Sequence, residues 1–274
     1  MAKKNGHDDS ENENVTRFPD PRERKEIEHR LRAANDRLTP KGEPILNLPP
    51  TIKNMCIVLL VVHAVIALLD YLPQDWHGTA AVDWHGTAAV DWIIGNFGFY
   101  VLRYTGDMPF SWQGIVSPVS HMLLHGGWLH LAVNVTMFAA FGAGLERVIG
   151  GRKLVVLFLV TGIIGAFAHA LIYMVYGASG SAALFPHPEA PLVGASGGIS
   201  GLFGGVLMMA HDKGLMGGYK RLAPFVAIWI LISLFFGFFG MPGAEGPIAW
   251  TTHIGGFVAG LLLYRPVARS KIFN

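Results

Sequence analysis

The 274-residue chain has a single cysteine, Cys56, and it sits inside an apolar run. No disulfide can form within the chain, and cysteine usage carries no mark of the redox compartment. Charge is scarce over most of the length. Residues 1–50 hold twenty of the forty Asp, Glu, Lys and Arg residues, ten acidic and ten basic; the rest of the chain holds the other twenty. A net charge of +2 gives no basic field of the kind a nucleic-acid partner needs, so no nucleic-acid partner is expected. The first 50 residues have no apolar core from which to build a cleavable signal peptide. What is abundant is apolar side chain. The chain is 51% hydrophobic with a mean hydropathy of +0.40, too apolar for an ordinary soluble domain of this size.

Three regions follow from that distribution: a polar cytoplasmic tail over 1–50, a membrane body over 51–266, and a short cytoplasmic tail over 267–274. Arg22 to Arg37 could form a charged helix, but without an apolar stripe. The first region therefore reads as a mostly disordered or surface-lying tail. The body opens with the apolar run Ile52–Leu72, long enough for a hydrocarbon core of ~30 Å at ~1.5 Å per residue. Further apolar runs lie at about 127–146, 154–176, 193–210, 222–240 and 249–264. Backbone groups in lipid must be bonded internally, so each run is expected to be a helix. The fold class is all-α: a membrane bundle of six transmembrane helices.

Between the first and second runs lies a long connection, roughly 73–120. It carries the octapeptide Asp-Trp-His-Gly-Thr-Ala-Ala-Val twice in tandem, at Asp75–Val82 and Asp83–Val90. Two copies are too few for a repeat architecture, and a duplication accounts for them. Trp76, Trp84, Trp92, Phe97, Phe99 and Tyr100 suit a segment lying at the membrane interface.

Lys and Arg set the orientation. Three connections carry three each: Arg147, Arg152 and Lys153; Lys213, Lys220 and Arg221; Arg265, Arg269 and Lys271. The alternate connections carry Arg103, none and none. Positive charge faces the cytoplasm, which puts both termini there. Ser196 then begins the fourth helix, His253 lies about four residues into the sixth, and His130 and Asn134 lie in the first two turns of the second. All enter from the outer side, at one level ~5–10 Å below that surface by helix rise.

A serine hydroxyl is a weak nucleophile and needs a base within hydrogen-bond reach. His253 is the candidate. Gly256 and Gly260 follow it at i+3 and i+7 and share its face, while Gly197, Gly201 and Gly205 form a matching small-residue stripe behind Ser196. No Asp or Glu occurs at this depth, so a Ser–His dyad is expected and not a triad. His130 and Asn134 are four apart, hence on one helix face, and with the Ser196 amide can donate to a developing oxyanion.

Other patterns fail on context. Gly194-Ala-Ser196-Gly-Gly198 fits Gly-x-Ser-x-Gly, but no strand precedes it. His121, His125 and His130 invite a metal by spacing, but there is no His-Glu-x-x-His and no nearby carboxylate. No metal and no cofactor is expected, and His121 and His125 are expected to bond loop backbone near the site. Asn134-Val-Thr136 matches a glycosylation sequon but lies inside a predicted span. His63, His169 and Ser233 are polar residues in apolar runs that this arrangement leaves without a role.

Together these residues resemble the rhomboid family of intramembrane serine proteases. Four motifs carry the resemblance, over about Ile52 to Arg265: His125-Gly-Gly-Trp-Leu-His130-Leu-Ala-Val-Asn134; Gly142-x-Gly144-x-Glu146-x-x-x-Gly150; Gly194-Ala-Ser196-Gly197; and His253-x-x-Gly256-x-x-x-Gly260. The resemblance implies Ser196 as nucleophile, His253 as general base, and an oxyanion hole from His130, Asn134 and the Ser196 amide. Gly194, Gly197, Gly256, Gly260 and Glu146 are its structural positions. It implies cleavage of transmembrane or membrane-adjacent segments of other proteins, without metal or cofactor. It also implies an interfacial loop after the first helix that lies partly in the outer leaflet, and a mobile cap over the site at Gly240–Trp250.

Two positions depart from the family pattern. An aromatic that often stacks on the histidine, four residues after the serine, is here Ser200. A Trp-Arg pair is here Trp112-Gln113. A bacterial inner membrane is the expected location, with lipid and transmembrane protein substrates as partners. No feature of the sequence specifies an oligomeric state. Two rival readings are a rhomboid-like protein that binds membrane clients without cutting them, and a small transporter or channel. The four intact polar residues weigh against the first. Polar groups clustered on one side of the membrane weigh against the second.

Overall fold

The computed structural model describes residues 20–38, 47–70, 88–176, 190–240 and 249–272. Contacts divide the chain into two units, Met1–Asn47 and Leu48–Asn274. Most of the tandem octapeptide, the loop before the last helix at 241–248 and much of the polar tail lie outside the described residues.

In the first unit the charged stretch, named as a possible helix within a mostly disordered or surface-lying tail, forms helix α1 (Pro21–Leu38). Its start accounts for the helix. Asp20 Oδ1 accepts the Arg22 and Glu23 amides at 2.7 and 2.9 Å, and Glu23 Oε2 accepts the Asp20 amide at 2.9 Å. This is a capping box with Pro21 at the first helical position.

The second unit is all-α among its described residues. Its long helices are α2 (Pro50–Asp70), α6 (Trp128–Ile149), α7 (Gly151–Tyr176), α8 (Ser196–Asp212), α9 (Ala223–Phe239) and α10 (Trp250–Arg269). These are the six expected apolar runs, and the chain is a multi-pass membrane bundle. By length and composition α2, α6, α7 and Tyr219–Phe239 could each cross a membrane. The 17 residues of α8 include five glycines, and α10 carries Thr251, Thr252 and His253 in its first turn and Arg265 and Arg269 near its end. Those two helices give up hydrophobicity because they sit against other helices more than against lipid.

Several helices run further than their apolar cores. Arg147, Arg152, Lys153, Arg265 and Arg269 lie inside helices where connecting loops were expected, and α10 runs on to Arg269. Long basic side chains are good helix formers and reach to the interface from within a helix end.

The connection read as a long loop also holds helices: α3 (Ala88–Phe97), α4 (Leu102–Thr105) and α5 (Trp112–Ser120). Polar ties lock them together. Arg103 donates to the Gly95 carbonyl at 2.9 Å, Gln113 to Asn96 Oδ1 at 2.9 Å, Tyr104 to the Gly114 carbonyl at 2.7 Å and Ser120 to the Phe97 carbonyl at 2.7 Å. Gln113 thus anchors the segment at the position where the family pattern has arginine. α5 turns Trp112, Ile115 and Val116 outward, Ile115 being 72% exposed, as suits an apolar face laid on lipid. The segment is joined to the residues just before Ser196 by an isolated antiparallel bridge: the Phe99 amide donates to Leu192 at 3.1 Å and the Leu192 amide to Phe99 at 2.8 Å.

α8 occupies the centre, packed by α10, α7 and α6, with α2 against α6 and α9 beside α10. The core is apolar where side chains meet, with Ile52, Leu145, Leu154, Leu157 and Leu202 fully buried.

Candidate active site

Helix α8 begins at Ser196, after a turn that only glycine makes easily. Gly194 has φ of +123°, and a β-carbon there would lie 2.9 Å from the His130 ring and 3.7 Å from Ser196 Oγ. The missing side chain is therefore what lets His130 stand beside the serine. The Gly194 amide donates to the His121 carbonyl at 2.9 Å, which fixes the turn leading to Ser196.

Helix α10 approaches α8 backbone to backbone. A β-carbon on Gly256 would overlap the Gly197 carbonyl, and one on Gly260 would overlap the Gly201 carbonyl. From the other side, a β-carbon on Gly204 would lie 2.5 Å from the Phe257 carbonyl. Small-residue stripes on both helices permit this approach. Near the start of α10, His253 Nε2 lies 2.8 Å from Ser196 Oγ. Near its other end, Arg265 Nε donates to both oxygens of Asp212, the last residue of α8, at 3.1 Å. The two helices are thus tied at both ends.

His130 and Asn134 share one face of α6, with Asn134 Nδ2 donating to the His130 carbonyl at 2.8 Å. Asn134 is buried and its Oδ1 has no partner among the described residues. The Gly126 amide donates to His130 Nδ1 over a long 3.4 Å. That bond favours the tautomer with the proton on Nε2, on the side of the ring nearest Gly194 and Ser196.

His121 and His125 part company. Burial pushes His121 down to about 4, so at neutral pH it is uncharged, with Nδ1–H donated to the Ser117 carbonyl at 2.8 Å. His125 was expected to bond loop backbone; the Leu123 backbone lies beside its ring, but the contact falls short of hydrogen-bond geometry. Its ring packs edge-on to His130 and His63, 5.2 and 6.3 Å between centroids, and neither nitrogen has a hydrogen-bond partner among the described residues. His63, left over by the sequence reading, packs edge-on to Trp128 at 4.6 Å. His169 lies 2.5 Å from Thr251 Oγ1. Among the described residues no group of three His, Cys, Asp or Glu side chains is arranged to hold a metal.

Glu146 sits far from the serine and does different work. Its carboxylate accepts the Thr51 and Ile52 amides at 3.0 and 2.9 Å. It thereby caps the first turn of α2 and meets the positive end of the helix dipole. Gly142 in the same motif has no room for a β-carbon, which would overlap Ile52. Ser200, where the family pattern has an aromatic, donates to the Ser196 carbonyl at 2.7 Å. No ring among the described residues stacks on His253. Of the residues that matter to this geometry, Thr251 was not singled out by sequence, and Arg103 only as a charge in a connection. The run Thr251-Thr252-His253 at the start of an apolar helix was the available signal for the first.

Residues 110–270, well over half of the chain, match the rhomboid domain. The chain belongs to the rhomboid family. It is similar to rhomboid protease GluP of Bacillus subtilis, 30% identical over 150 residues that cover 55% of this chain and 25% of the relative. It is likewise similar to rhomboid protease GlpG of Serratia proteamaculans, at 32% over 148 residues, 53% of this chain and 45% of the relative. The mouse rhomboid-related protein 2 is 28% identical over 150 residues, 52% of this chain and 45% of the relative. The chain spans less than half the length of each of these relatives.

Proposed function

We propose that this chain is an intramembrane serine endopeptidase that hydrolyses peptide bonds in or near transmembrane segments of membrane proteins. The observation that carries the reading is the 2.8 Å hydrogen bond between Ser196 Oγ and His253 Nε2, near the starts of two helices in backbone contact. Family membership and the names of the two bacterial proteases support it.

In the mechanism His253 Nε2 takes the Ser196 proton as Oγ attacks the scissile carbonyl carbon. The carbonyl oxygen becomes an oxyanion, stabilised by His130 Nε2–H, an Asn134 amide proton and the Ser196 backbone N–H. The C–N bond breaks as His253 protonates the leaving amine. Water then gives a proton to His253 and attacks the acyl carbon, and Ser196 leaves with that proton returned. Asn134 has two amide protons and its bond to the His130 carbonyl uses one, so one is free for the oxyanion. No metal or cofactor enters these steps.

The same reading gives a polar tail over 1–50, a protease body over 51–266 and a short tail over 267–274. Both termini would be cytoplasmic and the site near the outer face, in a bacterial inner membrane. The interfacial segment over α3 to α5 would rest in the outer leaflet.

The test is labelling of the detergent-solubilised and liposome-embedded protein with a fluorophosphonate probe. Wild type should label. Ser196→Ala and His253→Ala should lose labelling entirely, and Asn134→Ala should lower cleavage of a transmembrane substrate by about 10²–10³-fold, the cost of one oxyanion donor. A wild type that stays unlabelled in both settings would favour a rhomboid-like protein that binds membrane clients without cutting them.

A further inference from the structure

We propose that His169 on α7 and Thr251 on α10 form a positioning pair that holds His253 in line with Ser196. The inference rests on the protease reading above and names the group that orients its base.

His253 lacks the usual means of orientation. No ring among the described residues stacks on it, and Ser200 is fully buried with its hydroxyl donated to the Ser196 carbonyl at 2.7 Å. Its direction must come from where the first turn of α10 is held. That turn is weakly secured by its own sequence, because Ala249 at the cap position makes no side-chain hydrogen bond. Helix starts of this kind leave amides without intrahelical partners and are free to fray or turn.

His169 supplies the hold. Its Nδ1 lies 2.5 Å from Thr251 Oγ1, and Thr251 is 1% exposed. Thr251 and His253 are two residues apart, about 200° around the helix at 3.6 residues per turn, so they leave opposite sides of α10. α7 grips the first turn from one side while α8 receives His253 on the other. Close backbone approach reinforces the grip, since a β-carbon on Gly165 of α7 would lie 2.6 Å from the Thr252 carbonyl. The glycine contacts prevent α10 from sliding away: Gly165 meets the Thr252 carbonyl beside His253, and Gly256 and Gly260 meet α8 about one and two turns further along. The His169–Thr251 bond adds a side-chain hydrogen bond at the level of His253.

The experiment compares fluorophosphonate labelling kinetics of the full chain in liposomes, separating the saturating rate from the half-saturating probe concentration, with melting temperature measured in parallel. A misplacement of about 1 Å costs on the order of 10²-fold in rate. Thr251→Val, which removes the hydroxyl at nearly constant volume, should therefore lower the saturating rate by about 10–100-fold. Half-saturation and melting temperature should stay near wild type. His169→Ala should do the same. The double variant should be no slower than either single one, as for two residues acting through one bond. Thr251→Ser should restore the rate.

A Thr251→Val protein that labels at the wild-type rate would overturn the proposal. So would a rate that falls only in step with melting temperature, or a Thr251→Ser variant as slow as Thr251→Val. A wild type that does not label at all would instead remove the protease reading, and this inference with it.

Discussion

Helices α8 and α9 are each 17 residues long, yet they live in different surroundings. α9 is a run of Ile, Leu, Phe and Trp without a charge, and it buries only Ser233 and Gly237. α8 contains five glycines and two serines and buries ten of its residues. In water the order would be reversed. In a bilayer the tails are as apolar as leucine, so hydrophobicity gives no reason to leave lipid, and close packing comes from small residues that let backbones meet. The helix that carries Ser196, the proposed nucleophile, is therefore the less hydrophobic of the two. The small residues that pack it against α10 also bring Ser196 within reach of His253.

Three substitutions would break or sharpen this contrast. Gly260→Val should have the largest effect, because even a β-carbon overlaps the Gly201 carbonyl, and neither backbone can move without parting α8 from α10. A cost of about 3 kcal/mol or more is expected from such overpacking, read as a large fall in melting temperature and loss of probe labelling. If Gly260→Val keeps both, glycine packing is not what holds the site.

Gly237→Ala tests the corresponding contact on α9. Its β-carbon would lie 2.8 Å from the Trp250 β-carbon, but α9 faces open surroundings and can shift outward. A loss of about 1 kcal/mol is expected, measured as a modest change in melting temperature. Leu231→Ala on the outer side of α9, where Leu231 is 64% exposed, should change stability by no more than about 0.5 kcal/mol. A larger loss in thermal melts would mean that α9 is covered by something other than lipid.

Much of the bundle was legible because lipid imposes its own rule. A backbone in hydrocarbon must bond to itself, so six apolar runs became six helices. Ser196, His253, His130 and Asn134 stood out for the same reason: polar groups in such runs are costly enough to be noticed singly. The connection after α2 was read less well. Its helices α3 to α5 are short, and short amphipathic segments have too few turns to separate from loop by periodicity. The Arg22–Arg37 stretch was read as a mostly disordered or surface-lying tail because it has no apolar stripe; the capping box at Asp20 and Glu23, a local start signal, was not considered.

The side-chain partnerships were the least legible. Glu146 meets the amides of Thr51 and Ile52 across some 95 positions in sequence, and His169 meets Thr251 across 82. His125 and His121, four apart, end in unlike surroundings: one ring packs among aromatic neighbours and the other bonds to backbone. Spacing along a helix says which residues share a face, but not which helix that face will meet.

The sequence alone determined that the chain is a membrane bundle, where its six long helices lie and which polar residues fall in their first two turns, because each of these is a local consequence of solvent and helical period. Only the tertiary structure decided that Gly256 and Gly260 press on the carbonyls of Gly197 and Gly201, that Ser196 and His253 come to 2.8 Å, and that Thr251 is held by His169. Those are contacts between segments distant in sequence, fixed by how helices fit together, and no local pattern encodes the partner.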